Sequence, residues 1–338
     1  MSGGPIFVVG APRSGTTLIG RIIGRHPDVF HAGESHFFED VWSRREQLGP
    51  IDTPAGFGRA YERLANLFGR YDFAERQRQV ERCLSPERLA AGLQGTAAGY
   101  GGLYRAFLGL LAGETGKSRT CDDTPKHLYF LHAIFELLPD AQVIGCLRDP
   151  RDFMCSYKHY WRAANPAEAA RLRRLYHPLL TAYNWRASAE LLEYHAKNCC
   201  QDRLRLVQYE ALVCDPRQQA KQLCGFLGLP FSAEFLNVTG HNSSFAAAQS
   251  GIFTASVGRW RDCLEPAEVW LGQRVGRRAM ARLGYPLAEA RAQPLAVLAI
   301  ALLTPVALLR ALAANRGRRG PLMPYLWKRL NGSLGVRR

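Results

Sequence analysis

The sequence lacks the cysteine and histidine spacings that mark a zinc site. Its nine cysteines are scattered over 338 residues, and they form neither a C-x-x-C pair nor a Cys/His set with zinc-like spacing. Cys199 and Cys200 are simply adjacent in the chain. We therefore expect that the protein binds no metal and that its thiols are reduced, as in cytoplasmic proteins.

A signal peptide is also absent from the sequence as given. The chain passes from Met-Ser-Gly-Gly directly into a short apolar run at residues 5–9. That leaves no room for the charged and apolar regions of a secretory signal. This pattern favours a cytoplasmic location, and the hydrophobic content of 47% predicts a sizeable buried core.

Acidic residues are missing from the last part of the chain. Residues 310–338 contain eight Lys or Arg and no Asp or Glu, about half of the formal net charge of +15. The remaining body is only mildly basic. Such an excess suits an anionic ligand or an anionic membrane surface, and by charge alone it suits a nucleic acid equally well.

The phosphate-loop motif near the N-terminus lacks its lysine. A Walker A loop reads G-x-x-x-x-G-K-[ST], and this chain supplies Gly10, Gly15 and Thr17, but Thr16 takes the lysine position and Arg13 is added. In P-loop nucleotide triphosphatases that lysine reaches the β- and γ-phosphates. Its absence argues against hydrolysis of a nucleoside triphosphate, although the loop backbone still suits phosphate oxygens.

Apolar runs followed by helical patterns predict an α/β fold. Residues 6–9, 142–147 and 204–208 predict buried strands, and residues 120–122 predict the end of another. Strands alternating with helices predict a P-loop-type, mostly parallel central sheet flanked by helices, with ligands beyond the carboxyl ends of the strands. Residues 55–113 and 163–197 predict helical insertions that form a substrate cap. We expect one domain over residues 1–288.

Residues 289–338 predict an appendage, an apolar helix followed by a basic tail. The apolar run at residues 294–309 is short for a hydrocarbon core of about 30 Å, and it contains Pro305. One interpretation is an interfacial segment on an anionic membrane, with Tyr325 and Trp327 near the headgroups. The other is an apolar helix that packs on the domain.

Two motifs resemble those of sulfotransferases that use 3′-phosphoadenosine 5′-phosphosulfate (PAPS). Gly10-Ala-Pro-Arg-Ser-Gly-Thr-Thr17 is similar to the family's 5′-phosphosulfate loop, and Val143-Ile-Gly-Cys-Leu-Arg-Asp-Pro-Arg-Asp-Phe-Met-Cys-Ser156 is similar to its 3′-phosphate motif. The resemblance implies that PAPS is the co-substrate and that no metal is needed. It also implies a set of PAPS-binding residues: Arg13, Ser14, Gly15, Thr16, Thr17, Arg148 and Ser156.

Weaker similarities follow in the family's order. They lie at residues 123–126 (DTPK), at 207–213 with 226–230, and at 256–260 (SVGRW). With them the resemblance covers about residues 5–262. It implies that Tyr209 lies near the adenine and Arg259 near the 3′-phosphate.

The segment after the first helix, residues 26–38, provides the candidate base. It resembles tyrosylprotein and related bacterial sulfotransferases, whose G-E glutamate is the base, and Glu34 is the matching residue. His36 is the alternative, because cytosolic small-molecule sulfotransferases use histidine and a pKa near 6.5 suits the task. Arg13 and Lys126 are the cations expected near the sulfonate. The implied acceptor is a hydroxyl group of a glycan, a lipid-linked molecule, a peptide tyrosine or a small molecule, and no nucleic acid partner is expected.

Two other functions stay open. A P-loop kinase acting on a small molecule requires turnover of ATP with magnesium, and Thr16 argues against it. A nucleotide-binding module without catalysis requires only the phosphate-binding residues, so that Glu34 is dispensable.

Overall fold

Five parallel strands form the centre of the protein. We describe residues 3–71, 73–96, 99–163, 166–198, 202–238 and 251–315 of a computed structural model. The strands lie in the order β2-β3-β1-β4-β5, and every neighbouring pair is parallel. Their bounds are β1 Ile6–Gly10, β2 Val29–Gly33, β3 Arg119–Asp122, β4 Gln142–Leu147 and β5 Leu204–Gln208.

Helices connect the strands and cover the sheet. Those between β1 and β3 are α1 Thr16–Gly24, α2 Phe37–Asp40, α3 Arg45–Leu48, α4 Pro54–Ala65, α5 Ala74–Cys83, α6 Pro86–Leu93 and α7 Tyr100–Gly113. Those from β3 to β5 are α8 Leu131–Leu137, α9 Pro150–Lys158, α10 Pro166–Arg173 and α11 Pro178–Asn198. After β5 follow α12 Tyr209–Cys214, α13 Pro216–Leu227, α14 Trp260–Cys263, α15 Pro266–Arg282 and α16 Pro294–Ala314.

The central strand β1 is buried on both faces. Phe7 and Val9 pack into one apolar core, whereas Ile6 and Val8 pack into a second core on the opposite face. Because successive side chains of a strand alternate between faces, one short run contributes to both cores. Burial of each such side chain contributes about 1.5–3 kcal/mol. The carboxyl ends of β1 and β4 lie side by side, since Gly10 pairs with Cys146.

The predicted fold is confirmed. Strands lie where the apolar runs at residues 6–9, 142–147 and 204–208 predict them, and β3 ends at the predicted position. Helices α4 to α7 lie in the first predicted insertion, and α10 and α11 lie in the second. The domain boundary near residue 288 stays a prediction.

Strand β2 is absent from the sequence prediction. Its five residues, VFHAG, include a histidine and only a short apolar stretch. It lies at the edge of the sheet, where β3 is its partner. The histidine and the terminal glycine leave too few β-forming residues for a clear strand pattern.

The C-terminal apolar helix is longer than predicted. Helix α16 runs over 21 residues with Pro305 inside it, a length of about 31 Å at 1.5 Å per residue. Because the helix continues past Arg310, it is a candidate membrane span by length and composition alone. An interfacial location of this segment stays a prediction. The basic tail, with Tyr325 and Trp327, lies outside the described residues.

Candidate active site

The loop between β1 and α1 is built around two residues with left-handed backbone. Arg13 has φ 79° and Gly15 has φ 101°, and Ser14 N donates a hydrogen bond to the Ala11 carbonyl at 3.1 Å. A Cβ added to Gly15 would lie 2.5 Å from Cδ2 of Tyr209. Only glycine therefore fits this position without strain or a clash. Helix α1 has no acidic residue in its first turn, so its positive end suits an anion.

The side chain of Arg13 points toward helix α9. Its Nε donates to Ser156 Oγ at 3.4 Å, and its guanidinium lies over the Tyr160 ring, 4.5 Å from the centroid. Burial lowers the pKa of Arg13, and the nearby Tyr160 and Glu34 act in the opposite direction. Glu34 is thus within electrostatic reach of this loop.

Arg148, directly after β4, binds two loops at once. Its NH1 donates to the Arg13 carbonyl and its NH2 donates to the Ser256 carbonyl, each at 3.0 Å. Its guanidinium also lies over the Tyr209 ring, 4.6 Å from the centroid, and the backbone carbonyl of Arg148 accepts a hydrogen bond from Trp185 Nε1 at 2.8 Å. Nε of Arg148 is buried and has no hydrogen-bond partner among the described residues.

The acids of the R-D-P-R-D run have structural partners. Asp149 caps α9 by accepting from Arg151 N at 2.8 Å. Asp152 accepts from Gly258 N at 2.6 Å and from Trp260 N at 2.9 Å, and burial raises its pKa. These bonds hold the loop at residues 256–260 against α9, beside Arg148.

A cleft of about 580 Å³ opens next to that loop. It contains Arg259, and Lys158 in its wall binds Glu268 at 2.6 Å. The volume lies within the usual range for small-molecule sites. The lining residues are Lys158, His159, Arg162, Ala255, Val257, Gly258, Arg259, Asp262 and Cys263.

A second cluster of charged side chains lies after β2. Oε2 of Glu34 is 3.3 Å from Nε2 of His36, and Nδ1 of His36 is 3.2 Å from Oε2 of Glu39. Lys126 Nζ binds Oε1 of Glu39 at 2.7 Å, and the His36 ring stacks on Tyr71 with 3.7 Å between centroids. His36 thus lies between two carboxylates.

This arrangement sets the protonation of His36. Burial alone lowers its pKa, but the hydrogen bonds and charges of Glu34 and Glu39 outweigh burial and raise the pKa to about 9. For Glu39, burial raises the pKa, yet Lys126 and His36 together hold it well below its usual range. A raised pKa favours the protonated form of His36 at neutral pH, in which neither ring nitrogen has a free lone pair.

Asp122, at the end of β3, holds the segment that carries Glu34. Its buried carboxylate accepts from Thr124 N at 3.0 Å, from Thr124 Oγ1 at 2.6 Å, and from the hydroxyls of Ser35 and Tyr104. Thr124 Oγ1 in turn accepts from His36 N at 3.1 Å. The residues on the C-terminal side of Glu34 are thereby tied to β3.

The fold also brings together three soft donor side chains. One ligand atom each of Cys155, His159 and Cys263 lies within 4.8 Å of the others. Sequence spacing does not show this set, because Cys263 is far along the chain. Burial raises the pKa of Cys155, so it is a neutral thiol. The expectation that the protein binds no metal stays a prediction.

The predicted site residues therefore fall into two groups. Arg13, Arg148, Ser156 and Tyr209 form one, and Glu34, His36 and Lys126 form the other. Ser14 and Thr16 are buried in the loop, Thr17 is exposed, and Arg259 lies in the adjoining cleft.

Sequence reasoning did not identify Glu39 or Asp122. The spacing of three residues between His36 and Glu39 at the start of a helix is a signal for the first. A carboxylate that ends a buried strand is a signal for the second.

A parallel sheet whose first strand leads into a lysine-free phosphate loop defines the P-loop-type α/β class. Residues 5–233, more than half of the chain, match a family model described as the sulfotransferase family. The chain belongs to that family.

Curated relatives support this membership. Nodulation protein NoeE of Sinorhizobium fredii (strain NBRC 101917 / NGR234) is 25% identical over 300 residues, covering 82% of this chain and 65% of NoeE. The protein-tyrosine sulfotransferase of Drosophila melanogaster is 23% identical over 278 residues, covering 79% of this chain and 47% of that protein. The chain thus spans about half to two thirds of the length of these relatives.

Solved structures share the fold. The sulfotransferase domain from the curacin biosynthetic pathway has a TM-score of 0.54 at 19% identity, covering 85% of this chain and 99% of that chain. The sulfotransferase domain of the Synechococcus PCC 7002 olefin synthase has a TM-score of 0.52 at 23% identity, covering 85% of this chain and 98% of that chain.

Proposed function

We propose that this protein transfers a sulfuryl group from PAPS to a hydroxyl group of an acceptor, with Glu34 as the base. One observation above all supports this function: Arg148 NH1 donates to the Arg13 carbonyl at 3.0 Å. The family motifs assign these two arginines to opposite ends of one bisphosphorylated adenosine. Arginines from two distant motifs must be neighbours if they are to bind one such molecule.

The chemistry of the loop suits the donor. Gly15 and the positive end of α1 offer backbone N–H groups to the 5′-phosphosulfate. Arg148 keeps a buried Nε that no described residue binds, and such a group is stabilised by an anionic partner. Ser156 and Arg259 supply a hydroxyl and a further cation for the 3′-phosphate. No group in this set needs a metal to act.

Glu34 is the better placed carboxylate for proton transfer. Glu39 binds both His36 and Lys126, whereas Glu34 contacts His36 and is the more exposed, at 32% against 24%. In the proposed reaction Glu34 takes the proton of the acceptor hydroxyl. The acceptor oxygen bonds to sulfur while the bond from sulfur to the 5′-phosphate oxygen breaks, and that oxygen keeps the electron pair.

Arg13 and Lys126 stabilise the charge that develops during transfer. Negative charge grows on the 5′-phosphate as its bond to sulfur breaks, so donors held at that position favour the transition state over the ground state. Arg13 is held by Tyr160 and Ser156, and Lys126 by Glu39. Preorganisation of this kind reduces the reorganisation needed during the reaction.

For the acceptor we propose the hydroxyl of a glycan or of a lipid-linked molecule. Tyr160 stacks on Arg13, and Trp161 stacks on Arg173 of α10. Aromatic rings beside the loop give a surface on which a sugar can pack. We place the enzyme in the cytoplasm, with its C-terminal segment on an anionic membrane surface and without a nucleic acid partner.

Thermal stabilisation by nucleotides tests the donor. We expect 3′-phosphoadenosine 5′-phosphate (PAP), the product formed from PAPS, to raise the unfolding temperature more than ADP or ATP with magnesium. A ligand at about 100 times its Kd adds about 2.7 kcal/mol to the free energy of unfolding. Larger stabilisation by ATP with magnesium would instead indicate a kinase. Transfer of label from PAPS to a panel of hydroxyl acceptors, with Glu34→Gln as the control, then separates an enzyme from a binding module.

A further inference from the structure

Helix α16 packs on the protein along one narrow face. The residues that face inward recur every three or four positions and are partly or fully buried. They are Val297, Ile300, Thr304, Ala307 and Ala311. This face contacts α11 and α15. The helix is thus part of the folded body over the residues that the structure describes.

The opposite face of α16 is apolar and open. Its large side chains are between 41% and 79% exposed, and they are Leu295, Leu298, Leu302, Leu303, Val306, Leu308 and Leu309. Soluble monomers rarely expose a continuous apolar patch of this length. The face therefore calls for an apolar partner.

Positive charge surrounds the C-terminal end of this face. Arg310 donates to the Arg174 carbonyl at 3.3 Å and to the Tyr176 carbonyl at 3.4 Å. Arg171 donates to Asn315 Oδ1 at 2.7 Å, although its charge is balanced by an ion pair with Glu168. The side chains of Arg173 and Arg174 are exposed nearby in sequence, and residues 310–338 contain eight Lys or Arg and no acid. An apolar face bordered by cations matches an anionic lipid surface.

We propose that the outward face of α16 docks on an anionic bilayer, with the helix lying along the surface and its arginines at the headgroups. A membrane-spanning orientation would require α16 to leave α11 and to break the bonds of Arg310 and Arg171. Lying on the surface keeps those bonds and covers the leucines. This docking is independent of the transfer reaction, so its test does not depend on that reaction.

Co-sedimentation with vesicles tests the docking directly. The purified full-length chain is mixed with vesicles that contain phosphatidylglycerol, or with vesicles of phosphatidylcholine alone. We expect sedimentation with the anionic vesicles and at least about tenfold weaker binding to the neutral ones, because each basic residue near the surface adds to the attraction. Leu302→Asp with Leu303→Asp should weaken binding by at least about tenfold.

A matched variant separates this face from general hydrophobicity. Leu287→Asp changes a leucine of similar exposure, 51%, outside α16. We expect it to bind vesicles like the wild type. Stabilisation by PAP should be the same in all three proteins, which shows that the variants are folded and keeps docking separate from donor binding.

Three results would overturn the proposal. A wild-type monomer that stays in the supernatant would show that this face does not bind an anionic bilayer. A wild-type dimer that becomes monomeric in the double Asp variant would assign the face to a second copy. Trypsin added outside sealed vesicles should cleave after Arg316, Arg318 or Arg319, and protection of these sites would indicate a tail that has crossed the bilayer.

Discussion

The guanidinium of Arg148 donates a hydrogen bond to the backbone carbonyl of Arg13, with 3.0 Å between the two atoms. The residue that follows β4 therefore binds the loop that follows β1. Parallel neighbouring strands bring this about, since their carboxyl ends share one edge of the sheet. The proposed donor site depends on this contact.

Arg148→Lys should weaken the binding of PAP more than the binding of 5′-AMP. Lysine keeps the charge but loses the planar set of donors that binds two carbonyls and an anion together. A charge-assisted hydrogen bond contributes about 1.5–3 kcal/mol, so we expect PAP affinity to fall about 10- to 100-fold. Calorimetric titration measures both ligands, with Arg277→Lys, an exposed position on α15, as control. Equal losses for the two ligands would contradict a 3′-phosphate role.

Glu34→Gln should abolish transfer and leave PAP binding nearly unchanged. The amide is similar in shape but cannot take a proton at neutral pH. General base catalysis contributes about 10²- to 10⁴-fold, and we expect the rate from labelled PAPS to fall by that factor. Glu46→Gln changes a carboxylate that is 87% exposed, and we expect it to leave the transfer rate unchanged. A variant at position 34 with full activity would exclude this residue as the base.

The stability of the protein should fall at alkaline pH because of His36. Its folded pKa of about 9 exceeds the value of about 6.5 for an unfolded histidine. The stabilisation is complete below pH 6.5 and is lost as pH rises through about 9. It is at most about 3.5 kcal/mol, since one pKa unit corresponds to about 1.4 kcal/mol.

Urea unfolding between pH 6 and pH 10 measures this loss. The difference in unfolding free energy between wild type and His36→Gln isolates the histidine from other titrating groups. We expect that difference to shrink as pH rises. A constant difference over the whole range would show that His36 is not protonated between its two carboxylates.

Gly15→Ala should destabilise the phosphate loop. A Cβ at this position lies 2.5 Å from the Tyr209 ring, and φ is 101°. We expect a loss of about 1–3 kcal/mol of stability and a loss of stabilisation by PAP in the thermal shift assay. Gly109→Ala is the matched control, because nothing lies within 4 Å of a Cβ built at this position of α7. At this position alanine should leave the stability of the protein unchanged or raise it by up to about 1 kcal/mol.

Asp122→Asn should lower the rate through the position of Glu34. The amide turns an NH₂ group toward hydroxyl and backbone donors that now bind a carboxylate. We expect a loss of about 2–4 kcal/mol in stability and a lower kcat, with PAP affinity retained. Asp140→Asn, at 52% exposure, should cost less than about 1 kcal/mol. A normal kcat in the Asp122→Asn variant would limit Asp122 to a folding role.

Much of the fold was predictable from local sequence. The runs that form β1 and β4 are apolar because both faces of a central parallel strand are covered. Strand β5 lies at an edge of the sheet, but its Leu-Arg-Leu-Val run still contains enough apolar residues to predict a strand. Pro150 after Asp149 predicts the start of α9, since proline needs no N–H bond in the first turn and the aspartate caps the helix. Strand β2 escaped this reasoning because its apolar stretch is short and is interrupted by His31.

The charged cluster after β2 was only partly predictable. Glu34 and His36 are close in sequence, but Lys126 is 87 positions from Glu39. Glu34 and Glu39 raise the pKa of His36 against the effect of its burial, and the distant Lys126 lowers the pKa of Glu39. A pattern of residues along the chain contains neither distance nor burial.

The amino-acid sequence by itself determined four of the five strands, the glycine loop and the chemical types at the site, because these follow from local periodicity and backbone freedom. Only the tertiary structure decided that Arg13 lies beside Arg148, that His36 lies between two carboxylates, and that α16 buries one face and leaves the other open. Each of these depends on contacts between segments far apart in the chain. Their energies depend on distance and on exclusion of water, and both are set by the packing of the whole molecule.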